Sequence, residues 1–191
     1  AIRNNMLKKT SPDRIWPLKL WPSNKFFEAK LSEQANRHAK HGNTEYNLEP
    51  NIKEAPGGLR DIQTINWVAK RHFGANSLEE LINDDFITPE EYLQLKKNQD
   101  FLWRVRYALH LIAGRPEERL LFDHQRKIAK LFGYKDGEKR MGVEQFMQDY
   151  YQVVLSVREL TDTLLQCLSE LIFQNKKSGE KIKLNQRFIV N

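Results

Sequence analysis

Residues 56–61, Pro-Gly-Gly-Leu-Arg-Asp, are the segment of this chain whose residue types are best suited to chemistry. Two adjacent glycines permit backbone paths that are closed to other residues, and they let a main chain approach a ligand or another chain closely. A strand, a glycine turn and a helix start together present backbone N–H groups and a carboxylate to a ligand. The alternative is a tight turn between two packed elements. We call residues 56–58 the glycine turn.

Two cations flank the glycine turn, and each has two interpretations. The side chains of Lys53 and Arg60 could contact phosphate. Equally, they could pair with Glu49, Glu54 or Asp61 in the chain itself. The candidate nucleotide-binding residues at this turn are Lys53, Gly57, Gly58 and Arg60.

Other polar spacings predict no metal site. His38 and His41 lie three residues apart near a helix end, but no acid or cysteine provides a third ligand at a suitable spacing. The chain has one cysteine, Cys167, which excludes an intrachain disulfide and a multi-cysteine metal site.

Arg106 and His110 are four residues apart and therefore share one helix face.

The charge distribution argues against a nucleic-acid-binding core. The net charge of +6 is concentrated at the two ends, while residues 43–173 contain 17 Lys or Arg and 21 Asp or Glu. A continuous surface that follows phosphates is disfavoured by an acidic body. The sequence shows no apolar run of membrane-spanning length and no signal-like N-terminus. We therefore expect neither nucleic acid nor membrane as a partner.

Hydrophobic periodicity predicts a mainly α-helical protein built as an antiparallel bundle. Capping residues and glycine stops give the limits of the helices. A capping box at Thr88–Glu91 is predicted to open a long helix that ends near Gly114. The other predicted helices cover residues 23–41, with Ser23 as the N-cap, 59–73, 123–132 and 143–173, with a short one from Ser77. Strands are predicted at 46–53 and 187–190.

Residues 47–63, N-L-E-P-N-I-K-E-A-P-G-G-L-R-D-I-Q, resemble a segment of the bacterial PII uridylyltransferase/uridylyl-removing enzymes. In that family the segment follows the nucleotidyltransferase core. The resemblance continues through Trp67–Gly74, Gln99–His110 and Arg119–Gln125, and it covers most of residues 23–173. A shorter pattern, K-x-x-x-G-G-[IL]-R-[DE]-I, is similar to glutamine synthetase adenylyltransferase, which is the alternative family.

The resemblance implies a multidomain enzyme of which this chain is a fragment. Residues 1–58 would be the C-terminal part of the nucleotidyltransferase domain, with a short α/β remnant. Residues 59–175 would be a helical bundle domain, and residues 176–191 a linker toward a His-Asp phosphohydrolase domain. The full-length enzyme would attach UMP from UTP to PII protein with Mg²⁺ and would remove it again, with glutamine deciding the direction. A cytoplasmic location fits this activity.

The resemblance also suggests roles for two further residues. Asp61 would be a third metal-binding carboxylate, with Glu54 as a weaker alternative, although a carboxylate in the first turn of a helix is also favoured by the helix dipole alone. Arg106 would contact the nucleotide if its helix face meets the catalytic domain. The chain contains neither the Gly-Ser pair nor the Asp-x-Asp of the family's catalytic motif. We therefore expect this fragment alone to be inactive and to serve as a helical connector and cleft wall.

The fragment interpretation also predicts an exposed apolar surface around Trp16, Trp21 and residues 46–53, where the transferase core would pack. Exposure of that surface could drive formation of a homodimer. A different alternative is a non-catalytic, all-α binding module that docks an acidic partner or RNA through its basic ends. That alternative predicts salt-sensitive binding to polyanions.

Overall fold

The computed structural model describes residues 22–74, 77–82 and 86–173, together with two short strands near the C-terminus. Within these residues the prediction of a mainly helical protein is confirmed. The prediction for Trp16 and Trp21 lies outside the described residues. The elements are α1 (Ser23–Lys40), α2 (Leu59–Phe73), a 3₁₀ helix (Leu78–Ile82), α3 (Pro89–Ala113), α4 (Phe122–Leu131), α5 (Gly142–Phe173), β1 (Ile182–Lys183) and β2 (Ile189–Val190), with the two strands paired antiparallel.

Two of the predicted helix ends are confirmed, and the predicted start of α1 is not. The Thr88 hydroxyl accepts the Glu91 N–H at 3.2 Å, and the Glu91 carboxylate accepts the Thr88 N–H at 3.0 Å, so the predicted capping box is confirmed. Gly114 ends α3 in the left-handed conformation, with φ of 64°. Ser23 was predicted to be an N-cap, which is wrong. It is the first residue of α1, and its hydroxyl contacts Nδ1 of His72 at 3.2 Å instead.

The core is organised around α5, which packs against each of the other four α-helices. Its buried stripe repeats every three or four residues through Phe146, Tyr150, Val154 and Val157, as the sequence predicted. Burial of each large apolar side chain contributes about 1.5–3 kcal/mol. Helix α1 joins the same core through Phe27 and packs against α2. The domain boundary predicted after residue 58 therefore falls between two helices that pack together. That boundary stays a prediction.

The predicted strand at residues 46–53 does not form. Among the described residues this segment makes a single bridge, between Asn51 and Arg119, and its backbone hydrogen bonds there are those with Glu118 and Leu120 on either side of that bridge. Pro50 has no N–H to donate. The Asn51 side chain also accepts the N–H groups of Lys53 and Glu54, at 3.1 and 2.7 Å, which turns the chain. Among the described helices, none has the length and apolar content needed to cross a bilayer.

Candidate functional site

The backbone N–H groups around the glycine turn are already used inside the chain. The N–H of Gly58 donates to the carbonyl of Ala55 at 2.9 Å, and that of Leu59 donates to Ile52 at 3.1 Å. The N–H of Gly57 donates to the Asp61 carboxylate at 2.7 Å. A phosphate at this helix start would therefore have to compete with internal acceptors. Nucleotide binding by Gly57 and Gly58 stays a prediction.

The two glycines allow the turn to pack closely on the protein itself. A Cβ atom on Gly57 would lie 2.7 Å from Cγ1 of Val154 on α5 and would also collide with the Val154 carbonyl. Gly57 has φ of 74°, a conformation that side chains disfavour. A Cβ atom on Gly58 would lie 2.8 Å from the carbonyl oxygens of Ile52, Lys53 and Ala55. The close approach that glycine permits here is an approach to α5 and to the loop's own carbonyls.

Asp61 is completely buried, with 0% exposure, and connects α1 to the glycine turn. Its Oδ1 accepts hydrogen bonds from Nη2 of Arg37 at 2.7 Å and from Nε2 of Gln34 at 3.1 Å. Nε2 of His38 lies 3.0 and 3.1 Å from the two carboxylate oxygens. Because Oδ2 also accepts the Gly57 N–H, both oxygens are occupied. An ionised carboxylate is only an acceptor, so Nε2 of His38 donates.

The environment of Asp61 favours its ionised form. Burial by itself raises the pKa of this carboxyl, but the hydrogen bond from His38 and the charge of Arg37 outweigh burial, and the pKa lies below its ordinary value. A buried carboxylate of this kind holds its donors firmly, since removing it would leave the buried Arg37 guanidinium with the more distant Glu54 carboxylate, 3.7 Å away, as its acidic partner. The arrangement fixes the turn, α1 and α2 relative to one another.

The prediction that Asp61 binds a metal ion remains untested, and its surroundings in this chain do not fit a metal ion. A metal could reach an oxygen of Asp61 only by displacing Arg37, Gln34, His38 or the Gly57 N–H. In the part of the chain that the structure describes, no cluster of three or more His, Cys, Asp or Glu residues could hold a metal ion. We therefore derive no catalytic step through Mg²⁺ from these residues.

Lys53 and Arg60 meet at Glu54 beside the glycine turn. The Lys53 ammonium lies 3.5 Å from the Glu54 carboxylate, and Nη2 of Arg60 lies 3.3 Å from the same oxygen. The Arg60 guanidinium also stacks 5.4 Å from the Trp67 ring centre. Both cations remain partly exposed, with side-chain exposures of 31% and 23%. They are the predicted nucleotide-binding residues whose charged groups a ligand could still reach.

Arg106 lies near the same loop, but its guanidinium is engaged. Its Nε is 3.0 and 2.8 Å from the two oxygens of Glu118, and its Nη2 is 2.5 Å from the first of them. This hydrogen bonding raises the pKa of Arg106. The carbonyl of Glu118 accepts the Ile52 N–H at 2.9 Å, which joins the pair to the loop before the glycine turn. A role for Arg106 in nucleotide binding stays a prediction.

Sequence reasoning missed the partners of Asp61. Gln34, Arg37 and His38 occupy positions i, i+3 and i+4 of α1, a spacing that places them on one helix face. That shared face is the available signal in the sequence, whereas the spacing of His38 and His41 draws attention only to a metal pair. Nothing local indicated that the acid facing them lies more than 20 residues later in the chain.

Comparison with known proteins shows which family this chain resembles. A family model described as GlnD PII-uridylyltransferase matches residues 25–165. The chain belongs to this family. A bifunctional uridylyltransferase/uridylyl-removing enzyme of Stutzerimonas stutzeri is 51% identical over 189 residues, which are 99% of this chain and 20% of the relative. Enzymes with the same name from Pseudomonas aeruginosa and Azotobacter vinelandii are each 50% identical, over 98% and 99% of this chain and 20% of their own length.

The relatives are thus about five times as long as the matched segment, and the chain corresponds to one part of them. No solved structure matches the chain. The resemblance to the uridylyltransferase family is confirmed. We call Asp61 and its partners Gln34, Arg37 and His38 the Asp61 cluster. This cluster lies inside the matched residues, as do the glycine turn and the Arg106–Glu118 pair.

Proposed function

We propose that this chain is the helical connector and cleft wall of a bifunctional enzyme that uridylylates PII protein from UTP and hydrolyses the product. The observation that carries the proposal is the identity of 51% across 99% of this chain to a relative with that name. In the full-length enzyme, Mg²⁺ would assist transfer and glutamine would set its direction. Residues 1–58 would contribute the end of the transferase domain, including its α/β remnant, and residues 176–191 would lead toward the hydrolase.

The Asp61 cluster supports the role of cleft wall through rigidity. It fixes the loop that carries Lys53 and Glu54 and the first turn of α2, which carries Arg60. These charged groups beside the glycine turn stay accessible. Catalysis requires charged groups held in a fixed geometry before the substrate arrives. In this proposal Lys53 and Arg60 contact the nucleotide's phosphates from the wall, and the acids that bind the metal come mainly from the transferase core.

An exposed apolar surface supports the packing of that core on this chain. Tyr46, Leu48 and Phe122 are 57%, 68% and 51% exposed. Beside Tyr46 a groove of about 410 Å³ is lined on α5 by Met147, Tyr151 and Leu155 together with the polar residues Glu144, Gln148 and Gln152. Large exposed apolar surfaces typically mark interfaces. Homodimer formation by the isolated chain through this surface is part of the proposal.

The proposal is tested by assaying transfer of UMP from radiolabelled UTP to PII protein with Mg²⁺. The full-length enzyme should label PII protein, and the 191-residue chain alone should not. Transfer by the chain alone would contradict the proposal that it is a wall without its own catalytic acids. In the full-length enzyme, Lys53→Gln and Arg60→Gln should raise KM for UTP, whereas Lys25→Gln, at a distant exposed ion pair, should leave KM unchanged.

A further inference from the structure

A basic surface lies far along the chain from the glycine turn. Residues 126–140 contain six Lys or Arg and two acids, whereas the rest of residues 43–173 contains eleven Lys or Arg and nineteen acids. All six cations are exposed. We call this surface the basic patch, and its cations are Arg126, Lys127, Lys130, Lys135, Lys139 and Arg140.

The cations of the basic patch have no acidic partners in the described part of the chain. None of the six forms an ion pair there. Of the two acids in the segment, Asp136 uses its carboxylate to accept the Gly142 N–H at 2.7 Å, which caps α5. Arg140 instead donates to the side-chain oxygen of Gln148 at 2.7 Å. The patch therefore keeps a local excess of positive charge on an otherwise acidic body.

A pocket of about 380 Å³ opens among these cations. Ala129 and Gly142 are buried at its base, and Met141 and Val143 add apolar surface. Its exposed cationic residues are Arg126, Lys130 and Lys135. The pocket thus offers an apolar base with three cations at its edge, beside one acid, Asp136, whose carboxylate accepts the Gly142 N–H.

We propose that the basic patch binds an acidic segment of a partner protein, with one apolar side chain of that segment in the pocket. Carboxylates on the partner would supply the counter-charges that this chain lacks there. Leu131 and Met141, which are 61% and 55% exposed, add apolar contact area beside the cations. Arg and Met are enriched at protein interfaces. A nucleic acid would use the cations but not the apolar pocket, and would meet the acidic surface beyond the patch.

The proposal is tested with the 191-residue chain and a fluorescein-labelled peptide in which a central leucine lies between glutamate-rich flanks. Fluorescence anisotropy should report binding that weakens as salt rises, because exposed charges are screened within about 8 Å at physiological ionic strength. The double variant Arg126→Gln/Lys130→Gln should weaken binding by about tenfold. The control Lys25→Gln/Arg115→Gln removes the same charge from two exposed, paired sites and should change binding by less than about twofold.

A second variant tests the pocket independently of the charge. Met141→Ser should weaken binding of the leucine peptide but not of a matched peptide with serine at the central position. Circular dichroism should show unchanged helicity, since every substituted side chain is exposed. Equal losses in the patch and control variants would overturn the proposal. A single-stranded oligonucleotide of equal charge that bound more tightly, with no effect of the central leucine, would overturn it in favour of a phosphate-binding surface.

Discussion

Two regions of this molecule use positive charge in opposite ways. Around the glycine turn, each cation has an acidic partner, as when Arg37 meets Asp61 and Lys53 and Arg60 meet Glu54. In the basic patch, six exposed cations have no acidic partner in the part of the chain that the structure describes. At the glycine turn the cations form ion pairs that fix a loop. In the basic patch the cations remain available to bind another molecule.

Burial explains the difference. Arg37 is 8% exposed and Asp61 is 0% exposed, so an unpaired charge at either position would carry a large desolvation cost. The basic patch lies in water, where an unpaired ammonium or guanidinium costs little and a surface ion pair contributes little. Buried charges must therefore be satisfied within the fold, and exposed charges are free to serve binding. Each prediction below tests one side of this comparison.

The largest expected effect is at the close contact of the glycine turn with α5. Gly57→Ala should lower the free energy of unfolding by about 4 kcal/mol, through left-handed strain and overpacking against Val154. Gly74→Ala is the matched control, because Gly74 has φ of 73° but no atom of the described residues lies within 4 Å of its added Cβ, and should cost about 1 kcal/mol. Urea unfolding followed by circular dichroism measures both. Equal losses of unfolding free energy for the two variants would mean that Val154 and α5 shift to accommodate the added methyl group at little cost.

Asp61→Asn should have the next largest effect, about 3 kcal/mol at neutral pH, because it leaves Arg37 and His38 without their buried anion. Asp123→Asn is the control, since Asp123 is an exposed first-turn carboxylate of α4, and it should cost about 0.5 kcal/mol. Equilibrium urea unfolding at pH 7 gives both values. Similar losses for the two variants would contradict the central role given to the Asp61 cluster.

The lowered pKa of Asp61 also predicts a pH dependence. A carboxyl with a pKa lower in the folded than in the unfolded state contributes its full stability above the unfolded value of about 4. That contribution is lost as pH falls through the folded pKa. The free energy of unfolding of the unsubstituted chain should therefore fall more steeply below pH about 4 than that of Asp61→Asn. Parallel curves would show that Asp61 contributes no such linkage.

These tests concern features that the sequence predicts to different degrees. The Thr88 capping box and the buried stripe of α5 depend on residues within a few turns of each other, so local patterns predicted them correctly. The partners of Asp61 depend on how α1 packs on α2, which no local pattern encodes. The predicted strand at 46–53 failed for a related reason, since a strand needs a neighbour and Asn51 provided a turn instead.

At the edge of the basic patch, Tyr134 gives a smaller effect at high pH. Burial, aided by its hydrogen bond to Asp149 at 2.6 Å, raises the pKa of Tyr134 to about 12. A group with a raised pKa contributes stability that is complete below its unfolded value of about 10 and is lost as pH rises toward 12. Tyr134→Phe should reduce stability at pH 7 by less than about 1 kcal/mol and flatten the loss above pH 10. An unchanged alkaline slope, measured by urea unfolding, would contradict this linkage.

The most direct comparison, and at Lys130 the smallest effect, comes from removing one paired lysine beside Trp67, which Arg60 also contacts, and one lysine of the basic patch. Lys30 lies 2.6 Å from Glu33 and 4.5 Å from the Trp67 ring centre, so Lys30→Gln should cost about 1 kcal/mol. Lys130→Gln removes a cation that repels its neighbours and should leave stability unchanged at high salt and raise it slightly at low salt. Urea unfolding of both variants at two salt concentrations separates them. If Lys130→Gln destabilised the chain as much as Lys30→Gln, the basic patch would be contributing to folding, and its charges would not be free for a partner.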